Sequence, residues 1–403
     1  MSLLAVASIG SGLIVLSGCG ATSASAAPGG ALPESTQKEL DAAVEDSFPK
    51  AATPGAVVAV QTPEGKWIKT VGIAQDDTDQ PMEPDLHVRI GSVTKTFTDR
   101  ALMQLAEKGE LSLDDPISDY VPDVPRGGKI TLRQLADMTT GIASYTKEDA
   151  FTDILFTRPE TVWTPDELLE IAFAEPPLFK PGTEFDYSNT NTMLLGLAIE
   201  KVTGKTLGEV FSEQIFEPLG LASTSWPGRS AEMPEPYANG YTLQGQPPDE
   251  PADATLWNPS WAFAAGELIS NADDMLVYGR ALGTGKGLLT PKFQKQRIAS
   301  LHGDIPPLDK NNQYGIGISS NRGWLGHTGS IPGYNTTVYY HPDIDTTVVV
   351  VATSDIARGA CEAKPTLNSD SPELKRESCA DPAQRVFAAV AKTLGRPFDP
   401  APG

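Results

Sequence analysis

Cysteine and histidine are scarce in this chain of 403 residues: three of the first and four of the second. None of His87, His302, His327 and His341 stands at ligand spacing from another or from a cysteine, so no metal site is expected, and no cofactor is implied. Basic residues are also outnumbered, 31 Lys and Arg against 52 Asp and Glu, for a net charge of -21. That balance argues against nucleic acid, or an anionic lipid surface, as a partner held by bulk electrostatics. There is no internal repeat. What is present is 40% hydrophobic content over a length that can bury a large core, as one big domain or two lobes.

Residues 1–33 carry no charge at all. The apolar run from Leu3 to Leu16 is short for a membrane span, and it ends in Leu16-Ser17-Gly18-Cys19, which resembles the lipobox of bacterial lipoprotein signal peptides. The expectation is a signal peptide over 1–19, a lipid anchor on Cys19, and a flexible tether over 20–34. The mature protein would then sit on the outer face of a bacterial cytoplasmic membrane. The pattern departs from the usual one in lacking a positive first region. Cys361 and Cys379 share a polar insertion, and in an exported protein the simplest outcome is one disulfide closing that loop, worth roughly 3 kcal/mol.

Hydrophobic periodicity predicts a helix over Gln37–Phe48, two strands over Ala56–Gln61 and Trp67–Ile73, and a series of mostly helical segments from residue 101 to 261. Strands return in QYGIGIS, WLGHTGS, TTVYYH and TTVVVVAT, before a final helix over Pro382–Leu394. Strands at both ends with helices between predict an α+β fold. One antiparallel sheet would be assembled from the N- and C-terminal parts (35–100 and 262–403), flanked by helices, with residues 101–261 inserted as a mostly helical lobe.

The chemistry-bearing stretch is His87–Lys108, a short strand followed by a Gly-Ser step and an amphipathic helix. Ser92 and Lys95 lie one turn apart on one face at the start of that helix, a nucleophile beside a base. A lysine accepts the serine proton only as the neutral amine, and burial together with the positive end of the helix dipole pushes it that way. The pattern Ser-x-x-Lys alone is weak. Roughly one match is expected by chance in this composition, and the chain has four, at Ser35, Ser47, Ser92 and Ser144. Only Ser92 joins a strand to a long amphipathic helix.

Two further short motifs carry polar side chains to a loop-helix junction and a strand. Tyr187-Ser188-Asn189 is preferred over Tyr237-Ala238-Asn239 because the latter lies in a proline-rich loop with little support. His327-Thr328-Gly329-Ser330 lies on a strand that its glycine lets a ligand approach.

Ser92-Val93-Thr94-Lys95, Tyr187-Ser188-Asn189 and His327-Thr328-Gly329, in that order, resemble the three motifs of the serine β-lactamase and penicillin-binding protein superfamily. The version with tyrosine is similar to class C β-lactamases and to the related D-alanyl-D-alanine carboxypeptidases and esterases. The resemblance implies a β-lactamase/transpeptidase-like fold and a two-step acyl transfer on a small peptide, β-lactam or ester. Ser92 would be acylated, and Lys95 and Tyr187 would pass protons. The backbone N–H groups of Ser92 and Ser330 would form an oxyanion hole. Asn189, His327, Thr328, Gly329 and, more loosely matched, Trp261 would meet substrate. Histidine replaces the lysine that class C enzymes carry at the third motif, so turnover is expected to be pH-sensitive between about 5 and 8. Where some carboxypeptidases carry an arginine for the substrate carboxylate stand Ser319 and Ser320, with Arg322 just beyond. Three readings follow: a penicillin-recognising D-alanyl-D-alanine carboxypeptidase, favoured by the lipobox and His-Thr-Gly; an esterase or amidase; and a non-catalytic envelope lipoprotein.

Overall fold

The computed structural model describes residues 30–400 apart from 77, 362, 363 and 369. The expected signal peptide, with Cys19, lies outside the described residues. The expected tether ends earlier than residue 34, because Ala31 bridges to Lys66 and Leu32 is buried with Leu40 and Trp67.

The strands are β1 (Gly55–Gln61), β2 (Lys66–Gln75), β3 (Gln80–Pro81), β4 (Val88–Arg89), β5 (Tyr241–Thr242), β6 (Ala252–Asp253) and β7 (Ile269–Ser270), then β8 (Asn312–Gly315), β9 (Ile318–Asn321), β10 (Trp324–Ile331), β11 (Tyr334–His341) and β12 (Thr346–Ala352). Eight of them form one antiparallel sheet in the order β3-β2-β1-β12-β11-β10-β9-β8. The N- and C-terminal parts meet at β1 and β12, where Ala59 lies opposite Val349.

The helices are α1 (Glu34–Ser47), α2 (Thr94–Lys108), α3 (Leu132–Ala136), α4 (Asp149–Thr157), α5 (Pro165–Ala174), α6 (Asn189–Thr203), α7 (Leu207–Phe211) and α8 (Glu217–Leu219), then α9 (Ala272–Thr284), α10 (Pro291–Ala299) and α11 (Pro382–Thr393). Strand side chains alternate between faces. Val58, Val60, Val348 and Val350 pack with Leu40 and Val44 of α1 and Val386, Phe387 and Val390 of α11. Val57, Ala59, Val349 and Val351 face the larger core, with Met275 and Leu282 of α9 and Phe97 and Leu102 of α2. Cover on both faces explains why β1 and β12 read as continuous apolar runs. The chain is therefore a mixed α+β fold with one large antiparallel sheet.

Three details differ from the sequence expectation. QYGIGIS is two strands, because Gly317 takes a positive φ of 51° and reverses the chain between β8 and β9. β4 pairs with β7 in a separate two-stranded sheet. α2 runs through the boundary expected at residue 100 and packs against α6. Among the described residues no helix is long and apolar enough to cross a membrane.

Candidate active site

β4 leads through a 3-10 turn, Gly91–Val93, straight into α2, which closes at Gly109 with the left-handed conformation that ends many helices. This turn lies against β10 with no room for side chains at two points. A Cβ on Gly91 would stand 2.8 Å from the Ser330 nitrogen, and one on Gly329 would stand 2.0 Å from the Ile90 oxygen. Both glycines let the nucleophile turn and the strand edge close on each other. Ser92 and Ser330 consequently border one narrow cavity of about 30 Å³, whose wall also includes Asn189 and Trp261.

Lys95 is fully buried. Its Nζ is 2.9 Å from Ser92 Oγ, 2.6 Å from Asn189 Oδ1 and 2.8 Å from the Ala265 carbonyl oxygen. Burial pushes the amine down to about 7, and the nearby Asp99 carboxyl opposes that shift. As an ammonium, Lys95 donates to all three oxygens. As the neutral amine it donates to two and turns its lone pair to the Ser92 hydroxyl, the arrangement a general base requires. Asn189 is itself fixed: Nδ2 donates to Thr146 Oγ1 (2.9 Å) and its backbone N–H to Ser144 Oγ (3.0 Å). Ser144 thus supports the site, while Lys147 pairs with Asp186 2.8 Å away and plays no part as a base.

The Tyr187 ring lies under the Lys95 ammonium position, 4.9 Å from centroid to Nζ. Its hydroxyl is buried and makes no hydrogen bond of ordinary geometry, although Ser92 acts on it as a hydrogen-bonding neighbour. Burial dominates and holds the phenol well above its usual value, so it stays protonated.

His327 requires a correction. It is 4% exposed and packed beside Tyr187 and Tyr314, ring centroids 6.2 and 5.7 Å away. Its Nδ1 contacts the Thr328 carbonyl, which can only accept, so Nδ1 carries the proton and Nε2 accepts from Tyr314 Oη at 3.1 Å. Burial lowers this imidazole to about 3, with Lys95 and Arg297 adding to the shift. It stays neutral from pH 5 to 8, and the expected titration in that range does not come from His327. Thr328 lies on β10 opposite Thr337 and borders neither the narrow cavity nor the larger one that shares Asn189 and Ser330 with it.

Trp261 borders the cleft and packs on Phe151, centroids 5.4 Å apart. Arg322 lies in the β9–β10 turn with Nε 2.5 Å from Asp399. At about 3.3 Å per residue, the length of β10 puts it ~20 Å from Ser330. Sequence reasoning missed three contributors: the Ala265 carbonyl, Tyr314, and Asp99. Asp99 follows Lys95 by one turn of α2, is fully buried, and neither carboxyl oxygen has a hydrogen-bond partner. Burial raises its pKa, Arg297 and Lys95 working against the shift. Among the described residues no group of three His, Cys, Asp or Glu is placed to hold a metal ion.

The family model described as Beta-lactamase matches residues 39–367. The curated relative "Protein flp" of Staphylococcus aureus is 26% identical over 336 residues, 80% of this chain and 64% of that protein; the chain thus spans under two thirds of its length. Among solved structures, a D-stereospecific amidohydrolase from Streptomyces sp. is 35% identical with a TM-score of 0.70, covering 79% of this chain and 94% of that one. The D-amino acid amidase from Ochrobactrum anthropi SV3, complexed with L-phenylalanine amide, has a TM-score of 0.75 at 24% identity, covering 90% and 99%. That last likeness concerns the fold alone. A match running from α1 to beyond β12, across the serine-lysine turn, places this chain in the beta-lactamase family of serine hydrolases.

Proposed function

We propose that the protein hydrolyses amide or ester bonds of small acylated substrates through an acyl-enzyme on Ser92. The observation that carries this reading is the 2.9 Å contact between Ser92 Oγ and a fully buried Lys95, whose amine burial lowers to about 7. Ser92 attacks the carbonyl and its proton passes to Lys95. The developing oxyanion sits between the Ser92 and Ser330 backbone N–H groups. Tyr187, protonated because buried, gives its proton to the leaving amine or alcohol and recovers one from the Lys95 ammonium. Water then releases the acyl group by the reverse proton path.

Action on amides and esters is favoured over carboxypeptidase action by the charges of the cleft. Gripping a terminal carboxylate needs a free cation, and the one cation bordering the larger cavity, Lys364, is held by Asp381 at 2.6 Å. The amidohydrolase name of the Streptomyces relative points the same way. The Cys361–Cys379 disulfide supports an exported, oxidising location, with lipidation of Cys19 as the proposed anchor. Nitrophenyl ester and anilide hydrolysis tests the reading: Ser92→Ala is expected to lower kcat at least a thousandfold, and wild-type turnover in that variant would overturn it.

A further inference from the structure

His302 takes no part in the chemistry described so far, yet it is one half of an ion pair that spans the fold. Its Nε2 stands 3.2 Å from Asp137 Oδ2, the carboxylate buried and the imidazole partly open to solvent. Arg133–Asp114 and Lys147–Asp186 stay among the helices that carry Tyr187, and Arg280–Asp345 stays on the sheet side, whereas Asp137–His302 joins the two.

Asp137 follows α3, and its other oxygen accepts from Thr139 Oγ1 at 2.6 Å. Between these two residues Met138 holds a φ of 63°, a left-handed conformation that a residue other than glycine keeps only where its surroundings impose it. The same turn carries the approach to the proton donor. The Met138 carbonyl accepts from the Asp186 N–H at 3.2 Å, and the Thr139 carbonyl accepts from the Gly182 N–H at 2.7 Å. On the other side, His302 and Tyr314 exchange backbone hydrogen bonds of 2.8 and 3.3 Å, and the Tyr314 ring meets Tyr187 edge-on with centroids 5.9 Å apart. Each partner therefore leads to Tyr187 by its own route, and their contact closes a loop around that ring. The Tyr187 hydroxyl has no hydrogen bond of ordinary geometry to fix its direction, so its aim depends on what holds its ring and backbone.

We propose that the His302–Asp137 pair is a latch that positions the Tyr187 hydroxyl for proton transfer to the leaving group. The inference rests on the hydrolase reading above. His302 is a positioning residue, acting through residues 138 and 139 and through Tyr314 rather than on substrate.

Leaving-group dependence tests it, because a nitrophenolate departs unaided, while a phenolate, about as basic as a tyrosine side chain, departs more readily with a proton. With 4-nitrophenyl acetate and phenyl acetate the acyl group is the same. His302→Ala is expected to lower kcat/KM for phenyl acetate about tenfold and for nitrophenyl acetate less than about twofold. His302→Gln, whose amide N–H can donate to Asp137, should restore most of the loss. Tyr187→Phe should show the same preference more strongly, and adding His302→Ala to it should move the ratio no further. His302→Leu, which keeps bulk but cannot bond, is the second variant if the smaller one does not fold. Equal losses with both esters, or none, in a folded variant would leave the pair a packing role and overturn the latch. A Tyr187→Phe ratio equal to wild type would remove the proton donor and the latch with it. Inertness of the wild type toward both esters would overturn the hydrolase reading itself.

Discussion

The proposed mechanism makes Lys95 the base, and the fold supports that role by denying it water and giving it no direct ion pair. Asp99 is the acidic group beside it that favours the charged form, and its own carboxyl is pushed toward neutrality by the same burial. Asp99→Asn should therefore move the acid limb of kcat/KM to lower pH, because less acid is needed to leave the amine unprotonated. Arg297, Asp137, Tyr187, Tyr314 and His327 surround the same interior, so the readout is the limb's midpoint in the variant against wild type. A midpoint that stays put would assign Asp99 a packing role only. Ser92 and Lys95 were legible in the sequence because three-residue spacing on a helix fixes a shared face. Asp99 was not, since spacing places it on the helix but says nothing of how deep it lies. The same limit explains His327: residue type suggested a titrating group, and depth removed the titration.

At the scale of elements, the approach that matters to the site is between the nucleophile turn and β10. Gly329→Ala puts a methyl 2.0 Å from the Ile90 oxygen, a backbone atom that cannot swing aside. It should cost about 1–3 kcal/mol in denaturant unfolding and lower kcat more than tenfold while preserving the circular dichroism spectrum. Unchanged kinetics would mean that the strand and turn need not touch. The disulfide closes a separation of 18 residues, so the double change Cys361→Ser and Cys379→Ser should lower stability by about 3 kcal/mol. Most strands and long helices could be read from periodicity, β1, β11, β12 and α11 among them. α10 was missed because PKFQKQRIA offers few apolar positions; it is anchored instead by Arg297, which donates to the Ile316 carbonyl at 2.9 Å and the Gly317 carbonyl at 2.7 Å.

For the whole molecule, pairing of β1 with β12 makes the two ends of the chain one sheet, and the sequence signalled this by placing apolar runs at both ends. Order within the sheet was not legible, because antiparallel neighbours depend on contacts across some 290 residues. The net charge of -21 has a kinetic consequence. An anionic ester meets a repulsive field that salt screens, so raising ionic strength from about 0.01 M to about 0.15 M should raise its kcat/KM a few-fold relative to a neutral ester. No change would mean that the acidic residues lie away from the cleft's approach.

The central claim is that Ser92 reacts because burial lets Lys95 give up its proton near neutral pH rather than near 10.5. Its most direct test is the rate of Ser92 acylation by a neutral activated ester, followed by intact mass across pH 5 to 10. A single adduct on Ser92 should form at a rate that climbs tenfold per unit below about pH 7 and levels off above it. An adduct on another residue, or a rate still climbing toward the ordinary lysine value of 10.5, would contradict it.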